Sequence, residues 1–94
     1  MLGYGGSVLI TSDNYAVGAY PTRVFSVHII STGTAAVVNF DNGSGGTVYA
    51  TETGTASTGK TINYGWAGRL FPNGCYVDVD TNTTSVLVTC VREE

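Results

Sequence analysis

Two acids and an amide occupy alternate positions in the segment CYVDVDTNTTSVLVTC, which runs from the first to the second cysteine of the chain. Asp78, Asp80 and Asn82 match positions 1, 3 and 5 of an EF-hand calcium loop. Position 6 of that loop requires glycine and position 12 a bidentate glutamate, but this chain has Thr83 and Thr89 there. We therefore expect no metal site. The aspartates should face outward from a strand while the valines beside them face the core.

The two cysteines bracket the same segment. If Val79 faces Val86 in an antiparallel hairpin, Cys75 faces Cys90 on the same side of the strands. That register allows a cross-strand disulfide, whereas a chain kept in a reducing cytoplasm retains thiols. Because free cysteine packs as a small hydrophobic side chain, we expect two buried thiols. A zinc site needs about four ligands in paired spacing, and two cysteines with His28 are too few.

Catalytic groups are sparse in this sequence. His28 is the single histidine, and a catalytic triad would need it beside a nucleophile and an orienting acid. No G-x-S-x-G elbow marks any serine, and no pair of acids stands out for glycoside hydrolysis. The glycine runs GYGG and GSGG lack the Lys-Ser/Thr of a phosphate-binding loop. We expect a half-buried, hydrogen-bonded histidine, no catalytic residue and no cofactor.

Aromatic and arginine side chains form the remaining candidate site. The segment NYGWAGRLFPNG places Tyr64, Trp66, Arg69 and Phe71 among glycines. Tyr, Trp and Arg are common anchors of protein interfaces, although Trp66 and Phe71 could equally fill a small core. Tyr4 lies in the glycine-flanked start MLGYGG, where it has no evident core role. These five residues are the predicted partner-binding set.

Size and charge restrict the classes of partner. The chain has 94 residues and a mass of 9.8 kDa, which indicates one domain. Seven acids outnumber four bases, and the bases are spread along the chain, so we expect no nucleic-acid binding. No polybasic stretch and no apolar run of about 20 residues is present, so we expect no membrane partner. The start of the chain lacks the features of a signal peptide, which favours synthesis in a cytoplasm.

Hydrophobic residues alternate with polar ones at period two along most of the chain, which predicts strands. Only 12% of residues are charged, so Thr, Ser and Asn must cover the solvent-facing sides. The pattern predicts an all-β fold, a compact antiparallel β-sandwich or jelly roll of seven to eight strands over residues 7–94. Residues 1–6 are predicted to form a flexible arm. The predicted strands cover residues 7–11, 22–31, 35–40, 46–52, 58–64, 69–71, 74–79 and 84–92.

One further hairpin can be given a register from the sequence. A five-residue loop over residues 41–45 pairs Val38 with Val48 and Ala36 with Ala50. A loop with an even number of residues would place apolar residues opposite threonines, so we expect the odd one.

The run from Thr53 to Cys90 resembles small structural proteins of tailed bacteriophages. In those proteins a Thr/Gly-rich β-domain carries an FPNG-x-x-V-D-V-D turn and strand, followed by a Val-rich final strand. Here FPNG begins at Phe71 and VDVD at Val77, in that order, and the likeness extends back to near Val24. The chain lacks the longer extension that fibre proteins use for trimeric shafts. The resemblance therefore implies a head decoration (cement) protein more than a fibre or tail element.

Our leading hypothesis is a non-enzymatic decoration protein on the capsid exterior of a virion, made in the host cytoplasm. It would bind and stabilise the lattice of the major capsid protein, as a homotrimer where capsid subunits meet. The alternative is a carbohydrate- or receptor-binding module of a phage tail or fibre, with Tyr64 and Trp66 as an aromatic platform. A small hydrolase is the third class.

Overall fold

The computed structural model describes the backbone of residues 4–93 and the side-chain surroundings of residues 6–93. Within that range the chain forms nine strands and no helix. The strands are β1 (Tyr4–Ile10), β2 (Asn14–Tyr15), β3 (Thr22–Ser31), β4 (Ala36–Asn42), β5 (Val48–Gly54), β6 (Lys60–Asn63), β7 (Arg69–Phe71), β8 (Cys75–Val79) and β9 (Thr83–Arg92).

The strands form two antiparallel sheets that face each other across one core. The first sheet has the order β1-β9-β3-β6, with β7 also paired to β3, and the second has the order β2-β8-β4-β5. This confirms the predicted all-β antiparallel fold, with the two-sheet arrangement of a β-sandwich. The strand beyond the eight predicted segments is β2, whose two residues are too few to show an alternating pattern.

The core lies between the sheets and is built from alternate residues of the long central strands. A bulge in β3 between Val24 and Ser26 allows Val24 and Val27 to face the core, although their odd spacing would place them on opposite faces. The fully buried hydrophobic side chains include Val24, Val27, Ile29, Ala36, Val38, Phe40, Phe71, Cys75, Val77, Val86, Val88 and Cys90.

The predicted hairpin between the two cysteines is wrong. β8 pairs with β2 and β4 in one sheet, whereas β9 pairs with β1 and β3 in the other. Val77 and Val88 are both fully buried, but they belong to opposite layers of the sandwich. Strands that bury their inner faces against each other show the same alternation as strands paired side by side. The sequence pattern therefore could not distinguish the two arrangements.

Cys75 and Cys90 are free and buried, which confirms the prediction of two buried thiols. Burial first, and the neighbouring Cys90 and Asp41 second, raise the pKa of the Cys75 thiol far above its ordinary value. Burial likewise raises the pKa of Cys90 to about 11. Both groups are therefore protonated at neutral pH, and a thiol in that state is a poor nucleophile.

The β4–β5 hairpin is present, but its register differs from the predicted one. Val38 pairs with Glu52 and Ala36 with Gly54, so the five-residue loop runs over residues 43–47. β4 extends to Asn42 because the N–H of Asn42 donates to the carbonyl of Thr47 and its Oδ1 accepts from the N–H of Asn73. A shift by an even number of residues keeps Ala36 and Val38 on the core face, so the predicted burial of β4 is retained.

The predicted arm falls partly outside the described residues. Residues 1–3 lie outside them, and Tyr4, Gly5 and Gly6 form the start of β1, which pairs with β9. Backbone hydrogen bonding does not depend on side chains, so glycines here can still join an antiparallel ladder.

Candidate functional site

The predicted aromatic set lies where β6 ends and β7 begins. Residues 64–68 connect these strands, and we call this connection the Trp66 turn. Gly65 and Gly68 both have left-handed backbone angles, with φ of 85° and 67°. The N–H of Gly68 donates to the carbonyl of Gly65 at 3.1 Å. Because glycine adopts positive φ without steric cost, these residues form a tight turn with Trp66 at its tip.

Trp66 is the most exposed large hydrophobic side chain among the described residues, with 94% of its surface accessible. Tyr20, the exposed aromatic next in order, has 51% accessible and carries a hydroxyl. A tryptophan normally buries most of its large apolar surface. Exposing the apolar surface of an indole to water is unfavourable, and burying that surface against a partner would be favourable.

The backbone on both sides of Trp66 is attached to β3. The N–H of Tyr64 donates to the carbonyl of Phe25 at 2.8 Å. On the other side, Nη1 of Arg23 donates to the carbonyl of Ala67 at 2.9 Å. Nε of the same arginine donates to Oε2 of Glu93 at 2.8 Å, and this ion pair holds the guanidinium in place. The Trp66 turn is therefore a fixed support for an exposed indole rather than a long free loop.

Tyr64 connects the two sheets instead of facing a partner. It is half-buried, and its hydroxyl donates to Oε2 of Glu52 in β5 at 2.9 Å. Burial raises the pKa of Tyr64 well above its ordinary value, and the hydrogen bond to Glu52 and the charge of Glu52 add to the shift. The hydroxyl therefore stays protonated. Its hydrogen bond to Glu52 links the residue after β6 to β5 at the side of the sandwich.

This contact predicts a measurable loss of stability in Tyr64→Phe. The substitution leaves Glu52 without its donor, and we expect the free energy of unfolding to fall by about 1 kcal/mol. Urea unfolding followed by far-UV circular dichroism measures the change. Tyr20→Phe, at an exposed tyrosine, is the matched control and should leave stability within about 0.5 kcal/mol of the parent. Equal effects in the two variants would contradict a structural role for the Tyr64 hydroxyl.

Arg69 and Phe71 have different surroundings although they are two residues apart. Arg69 is exposed, and its guanidinium carbon lies 5.1 Å from the ring centroid of Tyr49, in cation–π geometry. Phe71 is 1% exposed and packs against Tyr49 with ring centroids 5.3 Å apart. The assignment of Phe71 to the partner-binding set is therefore corrected: it is a core residue, because the inward face of β7 points between the sheets.

Tyr4 is separated from the Trp66 turn within the same sheet. It pairs with Arg92 in β9, and β3 lies between β9 and the β6/β7 edge. Its side chain lies outside the described residues. Of the predicted set, the structure brings together Tyr64, Trp66 and Arg69, and only Trp66 and Arg69 are exposed.

The other candidate residues have structural partners. His28 is half-buried and its Nδ1 lies 2.6 Å from Oγ1 of Thr61, as predicted for a hydrogen-bonded strand histidine. Asp80 accepts hydrogen bonds from the N–H groups of Asn82 and Val37 and from the hydroxyl of Thr83. Burial alone would raise the pKa of Asp80, but these hydrogen bonds outweigh it and lower the pKa. Asp80 thereby fixes the crossing from β8 to β9.

Three other features that would indicate a site or a membrane span are absent from the described part of the chain. Residues 6–93 contain no pocket and no cluster of three or more His, Cys, Asp or Glu side chains that could hold a metal ion. No helix long and apolar enough to cross a bilayer occurs among the described residues.

Asp41 is a buried acid that the sequence did not reveal. It is 6% exposed on the outer face of the second sheet, and its Oδ1 has no hydrogen-bond donor. Burial raises the pKa of Asp41, and the charges of Asp78 and Asp13 add to the shift. Asp41 occupies the polar phase of an alternating strand like any solvated acid, so no sequence signal marked it.

Comparison with known proteins adds no assignment, since no protein-family model, curated protein or solved structure matches the chain. The geometry of the Trp66 turn is therefore the main structural basis for a functional proposal.

Proposed function

We propose that this chain is a non-enzymatic decoration (cement) protein of a tailed bacteriophage, which binds the exterior of an assembled lattice of major capsid protein. The observation that carries the proposal is Trp66, an indole 94% exposed on a turn that is hydrogen-bonded on both sides to β3. Such a residue is suited to adhesion. The resemblance of residues 53–90 to phage structural proteins supplies the choice of capsid as the partner.

Trp66 would act as the central anchor of the contact. Buried tryptophans account for much of the binding free energy of many protein interfaces. Because the Trp66 turn is already fixed, little conformational entropy is lost when the indole enters a recess on the capsid. Arg69, held above Tyr49, is the first residue of β7, directly after the same turn, and supplies donors for carboxylates or carbonyls at the rim.

The rest of the surface supports the same role. Exposed threonines lie on β5, on β6 and in the connection between them, namely Thr51, Thr53, Thr55, Thr58 and Thr61. Neutral hydroxyls cost less free energy to desolvate than charges do, so a broad, shallow contact around Trp66 carries a small desolvation penalty. Each contact can be weak because many copies bind one lattice and together oppose its expansion or rupture.

Co-sedimentation with empty capsids of the phage that encodes the chain tests this proposal. Trp66→Ala should weaken binding at least tenfold, which corresponds to about 1.4 kcal/mol. Tyr20→Ala removes the other strongly exposed aromatic and is the matched control, so it should bind as the parent does. Capsids lacking the protein should rupture at lower temperature than decorated ones. Undiminished binding by Trp66→Ala, or unchanged capsid stability, would contradict the proposal.

The homotrimer stays a separate prediction of the same hypothesis. Native mass spectrometry of the purified chain, alone and on shells, reports the number of copies in each complex. A trimer on the shells would support binding where three capsid subunits meet.

A carbohydrate- or receptor-binding module of a tail or fibre is the second candidate. It is favoured by the same exposed indole, because a sugar ring can stack on a free aromatic face. Tyr64 does not extend this platform, since its ring is half-buried and its hydroxyl binds Glu52. Trp66 is the only tryptophan, so its fluorescence reports on ligands directly. Saturable quenching by host polysaccharide, with no binding to capsids, would replace the cement proposal with this one.

A further inference from the structure

The free edges of the two sheets differ in how they are protected. A sheet edge presents unpaired backbone N–H and C=O groups that can join another strand. Natural proteins limit such pairing with very short edge strands, lysines, inward-pointing charges or bulges. The edges in this fold are formed by β1, by β6 together with β7, by β2 and by β5.

Three of these edges carry such protection. β2 has only two residues. The β6/β7 edge begins with Lys60 and continues with Arg69, so each of its two short strands carries a cation. β5 has Glu52 on its core-facing side, bonded to Tyr64, and its pairing with β4 is interrupted by a register shift at Phe40 and Asp41.

β1 has none of these features in its sequence or in its pairing. Its seven residues, YGGSVLI, include no charged residue and no proline. It pairs with β9 in a continuous register from Tyr4 opposite Arg92 to Ile10 opposite Val86, without a bulge. Leu9 is 60% exposed on the outer face, directly opposite Leu87, which is also exposed. Gly6 has a positive φ of 134°, but β1 keeps its continuous pairing with β9 and forms an uncharged edge beside an apolar row.

We propose that β1 is a docking edge for β1 of a second copy of this chain. The two strands would pair antiparallel about a twofold axis at Ser7, joining two five-stranded sheets into one of ten strands. The axis at Ser7 follows from the sequence of the strand. Full overlap then places Val8 opposite Gly6, Leu9 opposite Gly5 and Ile10 opposite Tyr4, so Val8 and Leu9 of one copy each cross a glycine of the other.

Charge distribution favours a second copy as the occupant. Each chain carries a formal charge of −3, but none of these charges lies on β1. Two copies can therefore approach along this edge without like charges directly opposite each other, which would be destabilising. An acidic or basic partner strand would find no counter-charge on β1. The β1 strand of a second copy is equally uncharged, so it matches the chemistry of this edge.

The expected contact is weak. Pairing of two seven-residue strands covers less surface than the roughly 1,200 Å² of the smallest stable interfaces. We therefore expect a reversible, concentration-dependent dimer rather than an obligate one. This inference concerns a twofold contact of the purified chain and does not depend on capsid binding, so the two proposals can fail separately.

Sedimentation equilibrium of the full chain, from micromolar to millimolar concentration, tests the pairing. The parent should shift from 9.8 kDa toward twice that mass. Ser7→Lys places two cations opposite each other at the axis and should weaken the dimer at least tenfold. Thr53→Lys introduces the same cation at an exposed position of the β5 edge and should leave the dimer unchanged. Far-UV circular dichroism verifies that both variants fold.

Cysteine cross-linking tests the register. Side chains of directly opposed strand residues lie close enough for a disulfide, so Ser7→Cys should form an intermolecular disulfide under oxidised glutathione. Leu9→Cys, opposite Gly5 of the other copy, should cross-link far more slowly. The buried Cys75 and Cys90 provide the background in the parent chain. A monomer at millimolar concentration, a dimer insensitive to Ser7→Lys, or equal cross-linking of the two variants would overturn the proposal.

Discussion

Gly59→Ala is expected to lower the free energy of unfolding by about 3 kcal/mol or more. Gly59 lies in the β5–β6 connection with φ of 76°, where a side chain costs roughly 1–2 kcal/mol. A Cβ at this position would also come within 1.9 Å of the backbone carbonyl oxygen of Ile29 and 3.0 Å of its carbon. Because that backbone belongs to the central strand β3, the connection itself must move. Chemical unfolding in urea gives the size of the loss.

Gly45→Ala separates the clash from the backbone conformation. Gly45 has φ of 73°, almost the same as Gly59, but a Cβ there would meet nothing within 4 Å. We expect this control to lose only the roughly 1–2 kcal/mol of the left-handed conformation. Losses of equal size in the two variants would show that the β5–β6 connection does not lie against Ile29 as described.

Asp41→Asn is expected to stabilise the protein by about 2 kcal/mol at neutral pH. The carboxylate is buried, one of its oxygens has no donor, and the charges of Asp78 and Asp13 lie near it. A buried polar group without a partner costs roughly 1–3 kcal/mol, and more when it is charged. The amide keeps the shape and removes the charge. Thermal unfolding at pH 7 measures the gain.

The pH dependence provides a second readout for Asp41. Because its pKa is raised in the folded state, the folded chain binds a proton more readily than the unfolded chain does. The contribution of Asp41 to stability is therefore fully present below the ordinary value of about 3.9 and is lost as the pH rises through the raised pKa. The gain from Asp41→Asn should be largest at pH 7 and should shrink toward pH 3.

Other acids act in the opposite direction but do not disturb this comparison. The hydrogen bond from Arg23 lowers the pKa of Glu93, and several hydrogen bonds lower that of Asp80, so both lose stabilising effect as the pH falls. These groups are the same in the parent and the variant, and they cancel in the difference. Asp78→Asn, on the same outer face, is the matched control and should give a smaller gain. A gain independent of pH would contradict the assignment to Asp41.

The strands were predictable because period-two alternation is strong wherever one face is buried. β3 and β9 show this, since their inward valines and isoleucine alternate with polar residues except at the bulge near Phe25. Which strands pair was harder to predict. Val77 and Val88 alternate identically whether they are neighbours in one sheet or members of opposing sheets, so alternation favoured a hairpin that the fold does not contain.

The candidate site was predictable as a segment but not residue by residue. Trp66 and Phe71 lie five positions apart in one aromatic stretch, yet one is displayed and the other buried. The distinguishing signal is the position of Gly65 and Gly68 around Trp66, which places that residue in a turn. Phe71 instead belongs to a short strand opposite Thr22, and a three-residue strand is too short to show its inward face from sequence.

The position of β9 between β1 and β3 has a consequence for the order of folding. Ser7 meets Thr89, 82 positions later in the chain, so β1 is made long before the strand that holds it. Contacts of such long separation close late and fold slowly, in milliseconds to seconds for all-β domains. In this interval the backbone N–H and C=O groups on both edges of β1 have no partner strand. Nascent chains that are translated close together on one messenger RNA should therefore aggregate through their N-terminal segments, unless a chaperone keeps them separate until β9 emerges.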